Sequence, residues 1–375
     1  MSEILVEFLD VGQGEGNLIT TSNGFAIMVD FGNFENTTIE MRYLQRAVAA
    51  LKEAATKRGS DQFILDYLFI SHPDQDHYNK FTALMAAVAE ATRKPLLIKR
   101  VVIASSPSNY KQGNFKAEVL DPAKAANTLE DFNQNRFHNV VDGSKALVPW
   151  ARFDVGGLPL DLFVLSANVP VGDARAEVKG PVSRVGTTAN VASLVVKLSF
   201  TGVTVTFPGD AERGTEGSII HNYTREGALP VLKTYALKFG HHGSRIGMSD
   251  EWLDATDPRA TFASAAVRWS HPYCEVTHRV LNPQGPTRTP PDKLFQHWWS
   301  CGEGSGATQE YTNTNNTDGV YTNILYYKVK EDDAAVPAKA VKPRSGLASS
   351  YSLKISAAEI VYFLGSDKVH TVKRS

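Results

Sequence analysis

Tyr67-Leu-Phe-Ile-Ser-His-Pro-Asp-Gln-Asp-His77 is the stretch on which the reading of this chain turns. Its first five residues are aromatic, branched or small and too few for a helix, so they predict a buried strand that stops at Ser71. The polar run behind that strand places four potential metal ligands, His72, Asp74, Asp76 and His77, on one loop. Two crowded carboxylates repel each other unless a cation neutralises them, and two imidazoles beside them complete a nitrogen and oxygen donor set suited to zinc or manganese. A plain polar turn with histidines capping the next helix is the bland alternative, and the density of ligands outweighs it.

Upstream of that loop, the segment Ile4 to Asp10 reads as a strand, followed by the glycine-rich turn Val11 to Gly16 and a further strand ending at Asp30. The glycines at 12, 14 and 16 lack the spacing of a phosphate-cradling loop, and no helical pattern follows them. Apolar residues recur at helical spacing from Thr38 to Lys57 and from Asn79 to Thr92, which predicts helices packed on a sheet. Downstream, residues 105–160 form a polar stretch read as an insertion that shapes a substrate cleft. Strand patterns resume at Leu158–Leu165, Ala192–Phe200 and Thr204–Phe207, implying a second sheet.

Three of the later apolar pieces also end in ligand-type residues. Thr204–Phe207 runs into Pro208-Gly-Asp210, Tyr235–Phe239 into Gly240-His-His-Gly-Ser244, and Ala260–Ser264 is followed by Ser270-His-Pro272. A carboxylate projecting from a strand end, as Asp210 does, is placed to bridge two cations. Residues 303–318 and 331–350 read as a loop and a linker, with strand-like pieces at 321–329 and 351–363.

The 375 residues, 42% of them hydrophobic, suffice for a large core. Lys plus Arg number 39 against 40 Asp plus Glu, so the total charge gives no footprint for nonspecific nucleic-acid binding. No secretory leader pattern and no membrane-length apolar run is present. Cys274 and Cys301 are too few for a disulfide framework, which leaves a soluble cytoplasmic protein as the expectation.

In the order Asp10-Val-Gly-Gln-Gly14, Ser71 to His77, Asn190-x-x-Ser-Leu-Val195, Pro208-Gly-Asp210, Leu237 to Ser244 and Ser270-His-Pro272, the motifs carry a resemblance. The chain resembles the metallo-β-lactamase superfamily, on the branch that holds the soluble domain of the bacterial DNA-uptake competence channel and the phosphorylcholine esterase of teichoic acid. The resemblance implies an α/β fold, a four-layer αββα sandwich over residues 1–302, with residues 303–375 as a β-rich C-terminal extension packed on the same domain. It implies two divalent metal ions, Zn2+ or alternatively Mn2+. His72 and Asp74 then match ligands of the first, Asp76 and His77 of the second, and Asp210 the bridge. His242 matches a further ligand of the second site, while His241 is left as either a metal ligand or a holder of substrate oxygen. Asp74 stands where better-known zinc hydrolases of the superfamily have a histidine. Asp30 and Asp10 match positions that orient metal-bound histidines.

The same resemblance implies a hydrolase of phosphodiester bonds using a metal-bound hydroxide, its substrate DNA, RNA or a small phosphodiester. His271, Ser244 and Lys238 are candidates for stabilising the developing charge, beside Asp76 and His241. Lys94, Lys99, Arg100, Lys111 and Lys116, with Arg245 and Arg268, are candidates for a nucleic-acid groove. A nonhydrolytic sensing or interaction module and a thioester or lactam hydrolase are the competing readings. No membrane association is expected, and a protein partner is possible through the C-terminal extension. Trp298-Trp299 and Tyr326-Tyr327 read as packing between sandwich and tail, and His138, His221, His278, His297 and His370 as surface or core residues.

Overall fold

Apolar side chains occur on both faces of the central strands, so each sheet requires a covering layer on either side. The computed structural model describes residues 2–34, 38–132, 137–170, 188–266, 271–281, 298–302, 308–312, 320–325, 350–364 and 367–374. In chain order these form β1 (Glu3–Phe8), β2 (Gly16–Thr21), β3 (Ala26–Phe31), α1 (Thr38–Arg58), β4 (Ile64–Leu65), β5 (Tyr67–Ile70), α2 (Phe81–Thr92), β6 (Leu97–Ile98), β7 (Val101–Ile103), α3 (Asp121–Ala125) and β8 (Leu129–Asp131). There follow β9 (Ala151–Val155), β10 (Leu158–Ser166), α4 (Thr188–Val191), β11 (Val195–Phe200), β12 (Val203–Phe207), α5 (Arg213–Arg225), β13 (Ala236–Lys238), α6 (Asp250–Thr256), β14 (Ala260–Ala266) and α7 (Cys274–Leu281). The last strands are β15 (Trp298–Gly302), β16 (Thr308–Thr312), β17 (Val320–Leu325), β18 (Tyr351–Ser356), β19 (Glu359–Leu364) and β20 (Asp367–Lys373).

Nine strands make one sheet in the order β20-β19-β18-β1-β2-β3-β5-β7-β8, and seven make another in the order β17-β14-β13-β12-β11-β10-β9. Between the sheets, Val6, Phe8, Val29 and Phe69 meet Leu162, Leu198, Val205 and Phe262. The Phe8 and Phe262 rings stack with centroids 3.9 Å apart, and truncating such a buried ring costs about 3–5 kcal/mol. Outside the first sheet, Leu18, Met28 and Leu68 pack on Tyr43 and Leu51 of α1 and on Phe81 and Leu84 of α2. Outside the second, Leu165, Val195 and Leu237 pack on Ile219 and Tyr223 of α5 and on Trp252 of α6. Three apolar interfaces separate four layers, which is the helix–sheet–sheet–helix sandwich expected from the motifs.

The C-terminal strands are built into both sheets. β18 runs antiparallel to β1, from Glu3 opposite Ser356 to Phe8 opposite Tyr351, and β17 lies parallel to β14. Strands on either side of residue 302 therefore share the same sheets. The region 105–160 also departs from a plain polar insertion. It supplies β8 to the edge of the first sheet and β9 to the edge of the second, and buries Tyr110, Phe115 and Leu120 under the outer face of the first. These apolar residues fall in pairs at most among polar ones, so no long run of them announced the packing.

Strand direction fixes where the site forms. β12, β13 and β14 are mutually parallel, as are β3, β5 and β7 in the facing sheet. The loop after β5 and the turns after β12 and β13 therefore leave the two sheets at ends that meet across the sandwich. No helix among the described residues is long and apolar enough to cross a membrane.

Candidate metal centre

The loop after β5 is held from beneath by Asp30, fully buried at the end of β3. Its Oδ1 accepts from the Ser71 backbone N–H at 2.7 Å and its Oδ2 from the Ser71 hydroxyl at 2.7 Å and from His77 Nδ1 at 2.8 Å. Asp30 adopts a left-handed backbone with φ 59°, a conformation costing a non-glycine residue on the order of 1 kcal/mol, which these three hydrogen bonds offset. With its proton given to Asp30, Ser71 Oγ accepts from His72 Nδ1 at 3.0 Å. Both imidazoles thus have Nδ1 engaged, which leaves Nε2 as the nitrogen available to a metal. Gly32 permits the close approach: a Cβ there would meet the Asp76 carbonyl at 2.6 Å.

From the second sheet, Gly209 turns the chain after β12 with φ 57°, and a Cβ on it would lie 2.5 Å from Ser71 Cβ. That contact sets Asp210 against the first loop. Asp210 Oδ1 lies 3.2 Å from His77 Nε2 and 3.4 Å from His242 Nε2, while Oδ2 lies 3.7 Å from both His72 Nε2 and His241 Nε2. His242 Nε2 is also 3.2 Å from Asp76 Oδ2, and its Nδ1 donates to the Ser264 carbonyl at 2.8 Å. His241 and His242 both take left-handed backbone conformations, φ 45° and 53°. Two successive non-glycine residues there mark a turn shaped by its surroundings rather than by local preference.

The donor set fits a metal pair. Nε2 of His72, His77 and His242 and Oδ1 of Asp210 are buried without a hydrogen-bond partner, an arrangement that is costly unless a cation satisfies them together. Burial works to raise the Asp210 carboxyl, but His242, His77 and His241 outweigh it and hold it well below the usual carboxylate range. Burial likewise works to lower His77, and Asp210 and Asp30 outweigh it to raise that imidazole. The acids here draw positive charge inward. Ligand atoms within 4.8 Å of one another fall into two groups, His72, His77 and Asp210, and Asp76, His77 and His242. His77 thus belongs to both groups rather than to the second site alone. Asp74 falls outside both; its half-exposed carboxylate reaches His72 Nε2 at 3.6 Å.

The other expected residues divide. His241, partly exposed, is in neither group; its Nδ1 lies 2.9 Å from Glu212 Oε1, which also accepts from Asn190 Nδ2 at 2.9 Å. That arrangement suits a residue that holds a substrate oxygen. His271 stands at the rim, its ring centroid 5.8 Å from that of His241 and 6.3 Å from that of His242. Burial, with His242 and His241 nearby, pushes His271 down to about 3. Its Nδ1 lies 3.1 Å from Gln13 Nε2; an amide nitrogen donates only, so the neutral ring keeps its proton on Nε2. Ser244 is mostly buried and its N–H closes the histidine turn on the His241 carbonyl at 2.8 Å.

Two expectations need correction. Lys238 does not face a substrate: it is fully buried, with Nζ 2.7 Å from Glu15 Oε2, because residue 238 still belongs to β13 and points between the layers. Asp10 does not orient a ligand histidine; its backbone N–H donates to Ser350 Oγ at 3.2 Å and its carboxylate lines a separate cavity. Of the groove candidates, two fall away from the site. Lys99 and Arg100 precede β7, parallel to β5, and so sit at the end of the sheet opposite the 72–77 loop. Lys94, Lys99 and Lys116 are paired with Asp61, Asp66 and Asp121 at 2.5–2.7 Å. Arg268 lies outside the described residues. Arg245, near the site, rests over the Tyr273 ring at 4.4 Å.

Residues without an assigned role do much of the holding. Glu15 joins Lys238, accepts from Asn17 Nδ2 at 2.8 Å, and donates its N–H to the Asp76 carbonyl at 3.0 Å. Glu15 lies inside the glycine-rich turn and Glu212 two residues after Asp210, so their proximity to motifs was the available signal.

No family model matches the chain. Among curated proteins it is 24% identical over 284 residues to ComE operon protein 3 of Bacillus subtilis, covering 73% of this chain and 30% of that protein. The chain thus spans about a third of the length of that relative. Among solved structures, the metallo-β-lactamase fold protein YhfI of Bacillus subtilis is 12% identical with a TM-score of 0.35, covering 70% of this chain and 86% of that one. The short form of human tRNase Z is 10% identical with a TM-score of 0.34, covering 70% and 93%. The ordered motifs and the four layers agree with these comparisons: the chain resembles the metallo-β-lactamase fold proteins and, over 284 residues, is similar to ComE operon protein 3.

Proposed function

We propose that the chain is a metal-dependent hydrolase that cleaves phosphodiester bonds. The observation that carries the metal dependence is the convergence of three unpartnered imidazole nitrogens on the buried Asp210. His72, His77, Asp76, His242 and Asp210 would hold the cations, with Asp74 beside His72. A divalent metal bound there would supply a hydroxide nucleophile at neutral pH, since such binding lowers the pKa of water from about 15.7 to about 7.

The remaining residues bind and orient. His241, steadied by Glu212 and Asn190, takes a substrate oxygen beside Asp210, and His271 presents an Nε2–H to the oxyanion that develops in the transition state. One such donor is worth about 3 kcal/mol of barrier. The phosphodiester choice rests on the resemblance read from the sequence and on this supply of donors around a doubly anionic transition state. The test incubates the zinc- or manganese-loaded protein with single-stranded DNA, duplex DNA, RNA and bis(p-nitrophenyl) phosphate, with a thioester alongside. Turnover of a phosphodiester that is lost in Asp210→Ala supports the proposal; turnover of the thioester alone overturns it.

A further inference from the structure

Away from the metal ligands, a cavity of about 470 Å³ lies on the outer face of the first sheet, where α1 stops covering β1 and β18. That volume is in the range of small-molecule sites, and no residue of the metal centre lines it. Its wall carries charge of both signs. Two of its ion pairs are closed on themselves, Lys57 with Glu53 and Lys354 with Glu3, each at 2.8 Å. Three groups are left with charge to satisfy. Glu7 is 1% exposed and gives one oxygen to Arg46, while its Oε2, buried, has no hydrogen-bond partner among the described residues. Asp10 is 6% exposed and makes no ion pair within 4 Å among the described residues. Arg42, exposed at the mouth, likewise makes none.

We infer that this cavity binds a small zwitterion of amino-acid size, its ammonium on the Glu7 and Asp10 carboxylates at the floor and its carboxylate on Arg42 at the mouth. The floor is short of a cation: burial raises Glu7 despite Arg46, and raises Asp10 to about 7 despite Arg42. A positive ligand group relieves both, in the way a buried charge requires a partner. Thr20, Ser350 and Ser352 add hydroxyls along the wall. A ligand with only one charge satisfies half of this wall and leaves the other half unpaired.

The test titrates the full chain by calorimetry with three four-carbon probes, 4-aminobutyrate, butylamine and butyrate. The expected result is millimolar or tighter binding of 4-aminobutyrate, with each single-charge probe at least about tenfold weaker, and about tenfold weakening of 4-aminobutyrate in Glu7→Gln. Arg42→Ala, at an exposed position that leaves the core intact, is expected to weaken 4-aminobutyrate to the level of butylamine. Absence of 4-aminobutyrate binding at millimolar concentration overturns the inference. So does equal binding of butylamine, or binding that survives both substitutions.

Discussion

The two loops that face each other across the metal centre are made differently. The 72–77 loop takes its ligands from six consecutive residues and its support from Asp30 and Ser71, which hold both imidazoles by Nδ1 through a few short hydrogen bonds. The 240–244 turn has its two histidines in left-handed backbone and takes its support from three separate residues, Ser264 for His242 and Glu212 with Asn190 for His241. The first loop is built to fix ligands. The second divides its work, one histidine joining a ligand group and the other held beside it.

That contrast predicts a graded series of effects. Asp210→Ala removes the carboxylate both loops share and should lower kcat/KM by on the order of 10³-fold, about 4 kcal/mol, read with whichever phosphodiester the protein cleaves. Next comes the joint between the sheets. Lys238→Met strands the Glu15 charge in the interior and should cost about 3 kcal/mol by denaturant unfolding, while the double change to Glu15→Gln and Lys238→Met should recover much of it. Recovery of stability without recovery of activity would place the pair among the residues that position Asp76. On the ligand-fixing side, Asp30→Ala should weaken metal affinity by about 10- to 100-fold, measured by competition with a chelator. On the other side, Glu212→Gln should leave metal affinity unchanged and lower kcat by about tenfold. If Glu212→Gln instead strips metal, His241 is a ligand and the division of labour between the loops disappears.

The sequence exposed what is contiguous. Residues 72–77 announce a metal site because four donors follow a strand, and Asp210 and the 241–242 pair announce theirs because each follows another. The strands that carry the ligands and the two helices α1 and α2 were legible from their patterns, the four layers followed from the family resemblance, and the sheet order came only with the structure. What depends on long-range partners was not legible. Lys238 reads as a cation near a site until its burial against Glu15, 223 residues earlier in the chain, shows it to be a joint. Asp10 reads as an orienting acid until β18 arrives beside β1 and Ser350 takes its N–H. Lys99 reads as a groove residue until the parallel pairing of β5 and β7 puts it at the end of the sheet away from the 72–77 loop. The edge strands β8 and β9 were hidden for a different reason: three to five residues each, they carry too little periodicity to stand out.

The central claim is that turns from two sheets enclose a pair of divalent ions around Asp210. Elemental analysis of the purified full chain after loading with zinc or manganese and gel filtration tests it most directly, alongside Asp210→Ala with circular dichroism to confirm folding. The account predicts two ions per folded chain, one for each of the two ligand groups, and loss of at least one in the variant. A folded wild-type chain that retains none, or a variant that retains both, would contradict it.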